Sequence, residues 1–391
     1  MATPRGTTHS AGSEVTIYGG RAGIFPAWYS AAASGEWVDL PNSTITSSGV
    51  GWSGTSPGGT GNYTTVVTAW GGGVLNTGGI YRAGSFLAGT FLVLFGGGHG
   101  DYAGNELYAY GPLEADSPSW SRITDPTIPA PDDVARLSGK PVSRHSYDTL
   151  VYLPDQNKML CIGSPGYYET GFSFNAADVF DFAVNPGSSN PWSTADTGFP
   201  AFNGGGAGAI SLLSGYDSVS GKAWGLGKGN GQVIGSYDAA AGTWASYYKD
   251  NPSGPGSGKA GLASSIHKLV FVSGSTVYVQ DLTSPTSAIY TPSTTGSAPS
   301  LGGTAALDWD EVGARFVMRS SGGTLYYLTP GANPDSGGDA WAWSSVTPGA
   351  GATPAAEVEN GTYGRFRMVN GTLRGALLMA APTAPISYYK M

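Results

Sequence analysis

The chain has one cysteine, Cys161, in 391 residues. An internal disulfide is therefore excluded, and so is a zinc centre built from cysteines. Charge is scarce: Asp, Glu, Lys and Arg make up 12% of the chain, against a usual ~25%. The 19 basic residues are outnumbered by 27 acidic ones, for a net charge of −8, and no Lys/Arg cluster of the kind that tracks a phosphate backbone occurs. No nucleic-acid partner is expected. No run reaches the ~18 apolar residues of a membrane-spanning helix, so no membrane span is expected. The opening Met1-Ala2-Thr3-Pro4-Arg5-Gly6 has no charged region leading into an apolar one, so no secretory signal is expected. Long Glu/Lys/Ala/Leu stretches with helical periodicity are also missing.

What is abundant is glycine, 63 residues, more than twice its usual ~7% share. Hydrophobic residues make up 40% and aromatics 12%, enough for a large core. The apolar residues fall in short runs bounded by Gly, Ser, Asn, Asp and Pro, which is the signal of an all-β chain. One pattern recurs. An apolar run, Phe91-Leu92-Val93-Leu94-Phe95, is followed by a glycine-rich turn, then by the alternating Asn105-Glu106-Leu107-Tyr108-Ala109-Tyr110, then by Ser119-Trp120-Ser121. The same order returns around Lys158–Gly163, Ala177–Phe182 and Trp192, and again up to Trp244, Tyr290 and Trp341/Trp343. Each unit reads as four short strands. One such sheet cannot bury both faces alone, so the units must stack around an axis.

The expected fold is an all-β propeller of about six four-stranded blades, with seven as the alternative if the strand-like Tyr63–Trp70 belongs to a further blade. Residues 1–13 read as an N-terminal arm and 14–391 as the propeller, with blades at about 80–124, 140–195, 205–248, 256–292, 300–347 and 360–391. The last unit lacks a fourth strand. Gly35-Glu36-Trp37-Val38-Asp39-Leu40 offers one, with Trp in the closing place, so residues 34–41 are expected to complete the last blade and close the ring. Residues 42–79 form a Gly/Ser-rich insert.

The run Leu92 to Pro126 resembles the kelch repeat in its apolar strand, glycine pair, polar hairpin, Tyr-containing strand and Trp; Ser143–Leu160 is similar to the start of the next repeat. The resemblance is good over about residues 80–192, and only the strand rhythm continues beyond. It implies a β-propeller with binding or chemistry on one face of the disc. The galactose oxidase branch of that superfamily would imply a copper site of two His, two Tyr and a cross-linked Cys. Of the four histidines, His9 lies in the arm and His267 in an apparent turn, which leaves His99 and His145 as candidate ligands. Cys161 lies inside an apolar strand, so the oxidase constellation is not expected.

The most polar unusual segment is His99-Gly100-Asp101-Tyr102-Ala103-Gly104-Asn105-Glu106. Its glycines permit close backbone approach. It reads as a loop presenting His99, Asp101, Tyr102, Asn105 and Glu106 to a ligand. The competing reading has Asp101 and Asn105 bonding local backbone and Glu106 pairing with an arginine between blades. Arg144 and His145 open the inner strand of the second unit, where they either face the axial mouth near His99 or join a polar inter-blade network. Tyr167, Tyr168 and Glu169 sit in a neighbouring loop, where exposed aromatics with polar neighbours suit sugar rings. Asp308-Trp309-Asp310-Glu311 has an acidic look but aligns with the turns at Asp155 and Asp217, so it reads as a repeated turn.

No catalytic set, metal site or cofactor is expected. The composition, with its small-residue arm, points to a non-enzymatic binding or structural propeller. Its expected setting is a virion, as a phage tail, fibre or decoration component, with extracellular or cytoplasmic locations as the alternative. Other virion or surface subunits, met through the arm, are the expected partners, together with a host glycan. The alternative is a glycan-active or metal-dependent enzyme using the His99/His145 region.

Overall fold

A computed structural model of the chain describes residues 7–10, 13–16, 25–45, 84–96, 105–124, 136–137, 139–144, 146–162, 176–200, 202, 213–227, 233–248, 259–300, 306–319, 322–335, 338–356, 362–380 and 384–391. The described residues form a six-bladed β-propeller. Blade 1 runs outward through Gly84–Ala88, Phe91–Phe95, Leu107–Gly111 and Ser119–Arg122. Blade 2 follows with Leu150–Leu153, Lys158–Ile162, Ala177–Asp181 and Trp192–Thr194, and blade 3 with Leu213–Asp217, Lys222–Leu226, Val233–Asp238 and Thr243–Tyr248. Blade 4 has Lys259–Ala263, Lys268–Ser273 and Thr276–Asp281, with a single bridge from Val279 to Tyr290 in place of an outer strand. Blade 5 has Ala306–Asp310, Arg315–Arg319, Leu325–Thr329 and Trp341–Val346, and its outer edge gains Thr294–Thr295. Blade 6 has Phe366–Val369, Gly375–Leu378 and Ser387–Lys390.

The outermost strand of blade 6 is Trp37–Asp39, paired antiparallel so that Trp37 lies opposite Tyr389. This is the closing strand expected from the sequence. The segment preceding and following it seals the seam between blades 6 and 1. Trp28 and Tyr29 of the short helix Ala27–Ala31 pack edge-on against Tyr388 of blade 6. Trp28 donates its indole N–H to Ala115 O at 3.1 Å on blade 1. Lys390 donates to the carbonyls of Tyr29 and Ala32, both at 2.8 Å. Tyr63–Trp70, the material for a seventh blade, lies outside the described residues. Earlier in the chain Thr7–Ser10 pairs with Ser13–Thr16 as a two-stranded hairpin.

The repeated residues have repeated jobs. In five blades a large residue of the third strand faces a tryptophan of the fourth: Tyr110 with Trp120, Phe180 with Trp192, Tyr237 with Trp244, Leu328 with Trp343 and Tyr389 with Trp37. Such directly opposed pairs stabilise a sheet. The tryptophan also reaches away from its own sheet. Trp120 donates to Ser43 O at 2.6 Å, Trp244 to Ala195 O at 2.7 Å and Trp37 to Gly323 O at 2.9 Å. Blade 4 departs from this scheme. The buried Gln280 takes the third-strand place opposite Leu269, and no tryptophan follows.

The turns from first to second strand repeat as well. The residue before the second strand has positive φ in blades 2 to 5, at Asn157 (52°), Gly221 (68°), His267 (52°) and Ala314 (46°). In blades 2, 3 and 4 the next residue is a lysine opposite an aspartate: Lys158 with Asp181, Lys222 with Asp238, Lys268 with Asp281. Each aspartate ends the third strand by accepting a hydrogen bond from the backbone N–H two residues on, at 2.9, 3.0 and 2.9 Å.

Six clusters of buried apolar residues fill the six junctions between neighbouring blades. Cys161, fully buried, belongs to the cluster between blades 1 and 2. Trp37 is 2% exposed within the cluster joining blades 5 and 6. Replacing it leaves a cavity there and removes the closing-strand pair. Trp37→Ala is expected to lower stability by about 3–5 kcal/mol in denaturant unfolding followed by circular dichroism. Val219→Ser, on an exposed turn, is expected to change it by no more than about 0.5 kcal/mol.

Candidate functional site

The meander gives the ring two different faces. Links from first to second strand are short, from residues 89–90 in blade 1 to 370–374 in blade 6. They share one face, called here the turn face. The opposite face receives the crossovers between blades and the second-to-third-strand links, of which residues 105–106, 123–124, 136–137, 139–144, 146–149 and 176 are described. All ten candidate residues belong to these longer links. His99, Asp101, Tyr102, His145, Tyr167, Tyr168 and Glu169 lie outside the described residues.

The other three are buried. Asn105 donates from Nδ2 to Pro141 O at 2.8 Å. Glu106 accepts a hydrogen bond from the Tyr108 hydroxyl at 2.7 Å through Oε1. Arg144, fully enclosed between blades 1 and 2, donates from Nη2 to Asp178 Oδ2 at 2.7 Å. The other oxygen of Asp178 receives Arg136 Nε at 2.5 Å, and Arg136 also grips Asp196 with Nη1 and Nη2 at 2.7 and 2.9 Å. One buried carboxylate thus lies between two guanidinium groups. Both arginines come from the crossover into blade 2, and Asp178 from its third strand. The bidentate fork is the geometry that makes arginine effective with carboxylates. The arrangement ties a long crossover onto the sheet below it.

Chemistry at the cluster is limited by its surroundings. Burial pushes the Cys161 thiol up to about 11, with the Arg144 charge opposing. It therefore remains protonated near neutrality, unsuited to act as nucleophile or metal ligand. Burial also works against the ionised form of Asp196, but the hydrogen bonds from Arg136 and from the Ala177 N–H outweigh it and hold the carboxyl below its ordinary range. No group of three or more His, Cys, Asp or Glu suited to a metal ion occurs among the described residues, and none of the described helices is long and apolar enough to cross a membrane.

The second concave region is the axial channel. The six innermost strands stand side by side around it, and its cavity measures about 290 Å³. Equivalent places in the six strands are filled by Phe86, Val151, Gly215, Gly261, Asp308 and Arg367, all lining the cavity. The glycines are demanded by packing. A Cβ on Gly215 would fall 2.6 Å from Leu262 Cβ, and one on Gly261 would fall 3.3 Å from Asp308 Cα. Asp308 Oδ2 accepts the Met368 N–H at 2.7 Å, and Oδ1 accepts its own neighbour Trp309 N–H at 3.0 Å. Burial raises the Asp308 carboxyl above its ordinary value, and the nearby Arg367 charge acts against that rise. Arg367 donates from Nε and Nη2 to Ser85 O at 3.2 and 2.8 Å. The exposed Pro154 and Asn370 mark the mouth on the turn face.

Asp308 and Arg367 were not singled out by sequence reasoning. Asp308 ends up in a strand, and the turn it resembles begins only at Glu311. The available signal was the alignment of the inner strands, which sets opposite charges at one place in consecutive blades. Around the mouth the turns are linked from blade to blade. Tyr216 donates to Asp155 at 2.6 Å, His267 Nδ1 meets Asp217 at 3.0 Å, and Arg374 Nη2 donates to Asp310 at 2.5 Å. Burial opposes ionisation of Asp310, but its bonds from Arg374 and Gly313 prevail and hold the carboxyl below its ordinary range.

No family model matches the sequence, and no curated protein matches it. Among solved structures, the major allergen Mala s 1 of Malassezia sympodialis is similar over 80% of this chain and 92% of its own, at 11% identity and a TM-score of 0.47. A structure described as YjhT is similar over 79% and 93%, at 11% identity and a TM-score of 0.44. A Bacteroides thetaiotaomicron protein of unknown function is similar over 74% and 82%, at 13% identity and a TM-score of 0.34.

Two outcomes are expected of the charged groups. Asp178→Ala removes the buried carboxylate shared by the Arg144 and Arg136 guanidinium groups and is expected to cost about 3–5 kcal/mol in denaturant unfolding. Asp310 and Asp196 have folded values below their unfolded ones, so their stabilisation is present above the unfolded value and is lost as pH falls through the folded one. The melting temperature is expected to fall on acidification from about pH 5 towards pH 2, and less steeply for Asp310→Asn than for the unaltered protein, as scanning calorimetry at several pH values will show.

Proposed function

We propose that the chain is a non-enzymatic binding and structural propeller, a virion component of the tail, fibre or decoration kind, whose long-loop face recognises a host glycan. The observation that carries this reading is the inequality of the two faces. The first-to-second-strand links of the turn face are short and braced from blade to blade. The other face bears the described candidates Asn105, Glu106 and Arg144, on connections anchored by buried groups such as Arg136, Arg144 and Asp178. A rigid ring carrying extended connections on one side is an arrangement suited to recognition. Tyr167, Tyr168 and Glu169 supply the aromatic and polar groups that suit sugar rings. The virion setting is supported by the low charge, the Gly-rich composition and the N-terminal arm, through which neighbouring subunits would be met. A kelch-type relationship belongs to the same proposal and is supported by the recurring third-strand aromatic opposite a fourth-strand tryptophan.

The test is a glycan array probed with the full chain, alongside adsorption to candidate host cells. Binding to a defined glycan class is expected, weakened about tenfold or more, which is ~1.4 kcal/mol, by joint Tyr167→Ala and Tyr168→Ala substitution with unchanged melting. Absence of binding to any glycan and any cell would remove the recognition role.

A further inference from the structure

The axial channel is distinct from the long-loop face and has its own chemistry. Its volume of about 290 Å³ lies at the lower limit of small-molecule cavities, roughly 300 Å³. The wall is mixed. Phe86, Leu150, Val151 and Met368 give apolar surface, and Asp308 and Arg367 give charge from adjacent blades. Gly215 and Gly261 line the same channel.

The charges are already committed to the fold in part. Each oxygen of Asp308 accepts one backbone N–H and retains acceptor capacity. Arg367, which lines the channel, uses Nε and one terminal nitrogen on Ser85 O and retains donor capacity at Nη1. Asn370 accepts from the Glu311 N–H at 3.1 Å through Oδ1, so its amide N–H groups remain as donors at the mouth. Within the wall the Asp308 carboxylate and the Arg367 guanidinium offset each other, with the Asp148 carboxylate a further negative charge acting on Asp308. A charged ligand would therefore lose its hydration without a net counter-charge in the wall. A neutral molecule with both donors and acceptors on neighbouring carbons uses both groups, and its C–H surface uses the apolar wall.

We propose that the axial channel binds an uncharged polyhydroxylated molecule of monosaccharide size from the turn face, with Asp308 accepting from its hydroxyls and Arg367 donating to them. This site does not depend on the long-loop reading. The test is titration of the full chain with glucose, galactose, N-acetylglucosamine and myo-inositol, against the charged glucosamine and glucuronate, followed by saturation-transfer NMR and calorimetry. At least one neutral compound is expected to bind with Kd at or below about 1 mM, and charged compounds at least about tenfold more weakly. Ala260→Leu narrows the channel without removing any polar contact described above. It is expected to weaken binding about tenfold or more. Hydrogen–deuterium exchange on the unaltered protein decides independently of that variant, with ligand-dependent protection expected in 308–310 and 366–370. Failure of every neutral compound, preference for a charged one, binding unchanged in a folded Ala260→Leu protein, or protection confined to 97–104 and 163–175 would overturn the proposal. The last result would assign binding to the long-loop face instead.

Discussion

A four-stranded blade has two apolar faces and no means of covering either by itself. Everything else in the molecule follows from this. Each face is covered by the next blade, and six clusters of buried side chains fill the six junctions. The favourable term is removal of apolar surface from water, and it is collected only when neighbours are in place. The tryptophan in the outer strand serves this directly. It pairs with an aromatic or leucine in its own sheet, and Trp120, Trp244 and Trp37 also donate their indole N–H outside that sheet. Blade 4, with Gln280 and no outer tryptophan, shows that the pattern tolerates one exception when its neighbours obey it.

The centre obeys a different constraint. Six strands converge there, and side chains must share little space. Gly215 and Gly261 answer the crowding between adjacent strands, and Asp308 and Arg367 tie their strands to the next blade through backbone groups. Charge in the interior is tolerated because it is matched. Asp178 sits between Arg136 and Arg144, and Asp310 between Arg315 and Arg374. These contacts position long crossovers and turns. They therefore decide how the two faces are presented, and the faces decide what the molecule can meet.

The architecture was legible because its cause is local and repeated. Short apolar runs, the glycine turns, the Tyr–Trp pairing and the spare strand at Trp37 all recur at intervals readable along the chain. His267 reads as a turn residue, and its left-handed backbone in the turn between two strands agrees. The site was less legible because its partners are distant. Nothing near Arg144 announces Asp178, which joins it only when the crossover folds back on the third strand of blade 2. Asp308 lies in the polar run Asp308-Trp309-Asp310-Glu311, which looks like a turn. What makes it a channel residue is the convergence of six strands, a property of the closed ring and of no single segment. Asn105 and Glu106 stand out by their polarity, yet polarity alone does not tell a group offered to a ligand from one spent on Pro141 or Tyr108.

The pairing of Trp37 with Tyr389 also sets an order of events during synthesis. The chain emerges from the ribosome with its N-terminal part first, and domains assemble as their sequence becomes available. Blades 1 to 5 can stack in turn as they appear, each covering the one before. The strand at 37–39, made before all of them, has to wait for its partner at 387–390. Until then the junction on the far side of blade 1 lacks its cover, including the apolar residues that later meet Tyr388. A strand made early thus finds its place late, and the seam stays unshielded until 387–390 has been made.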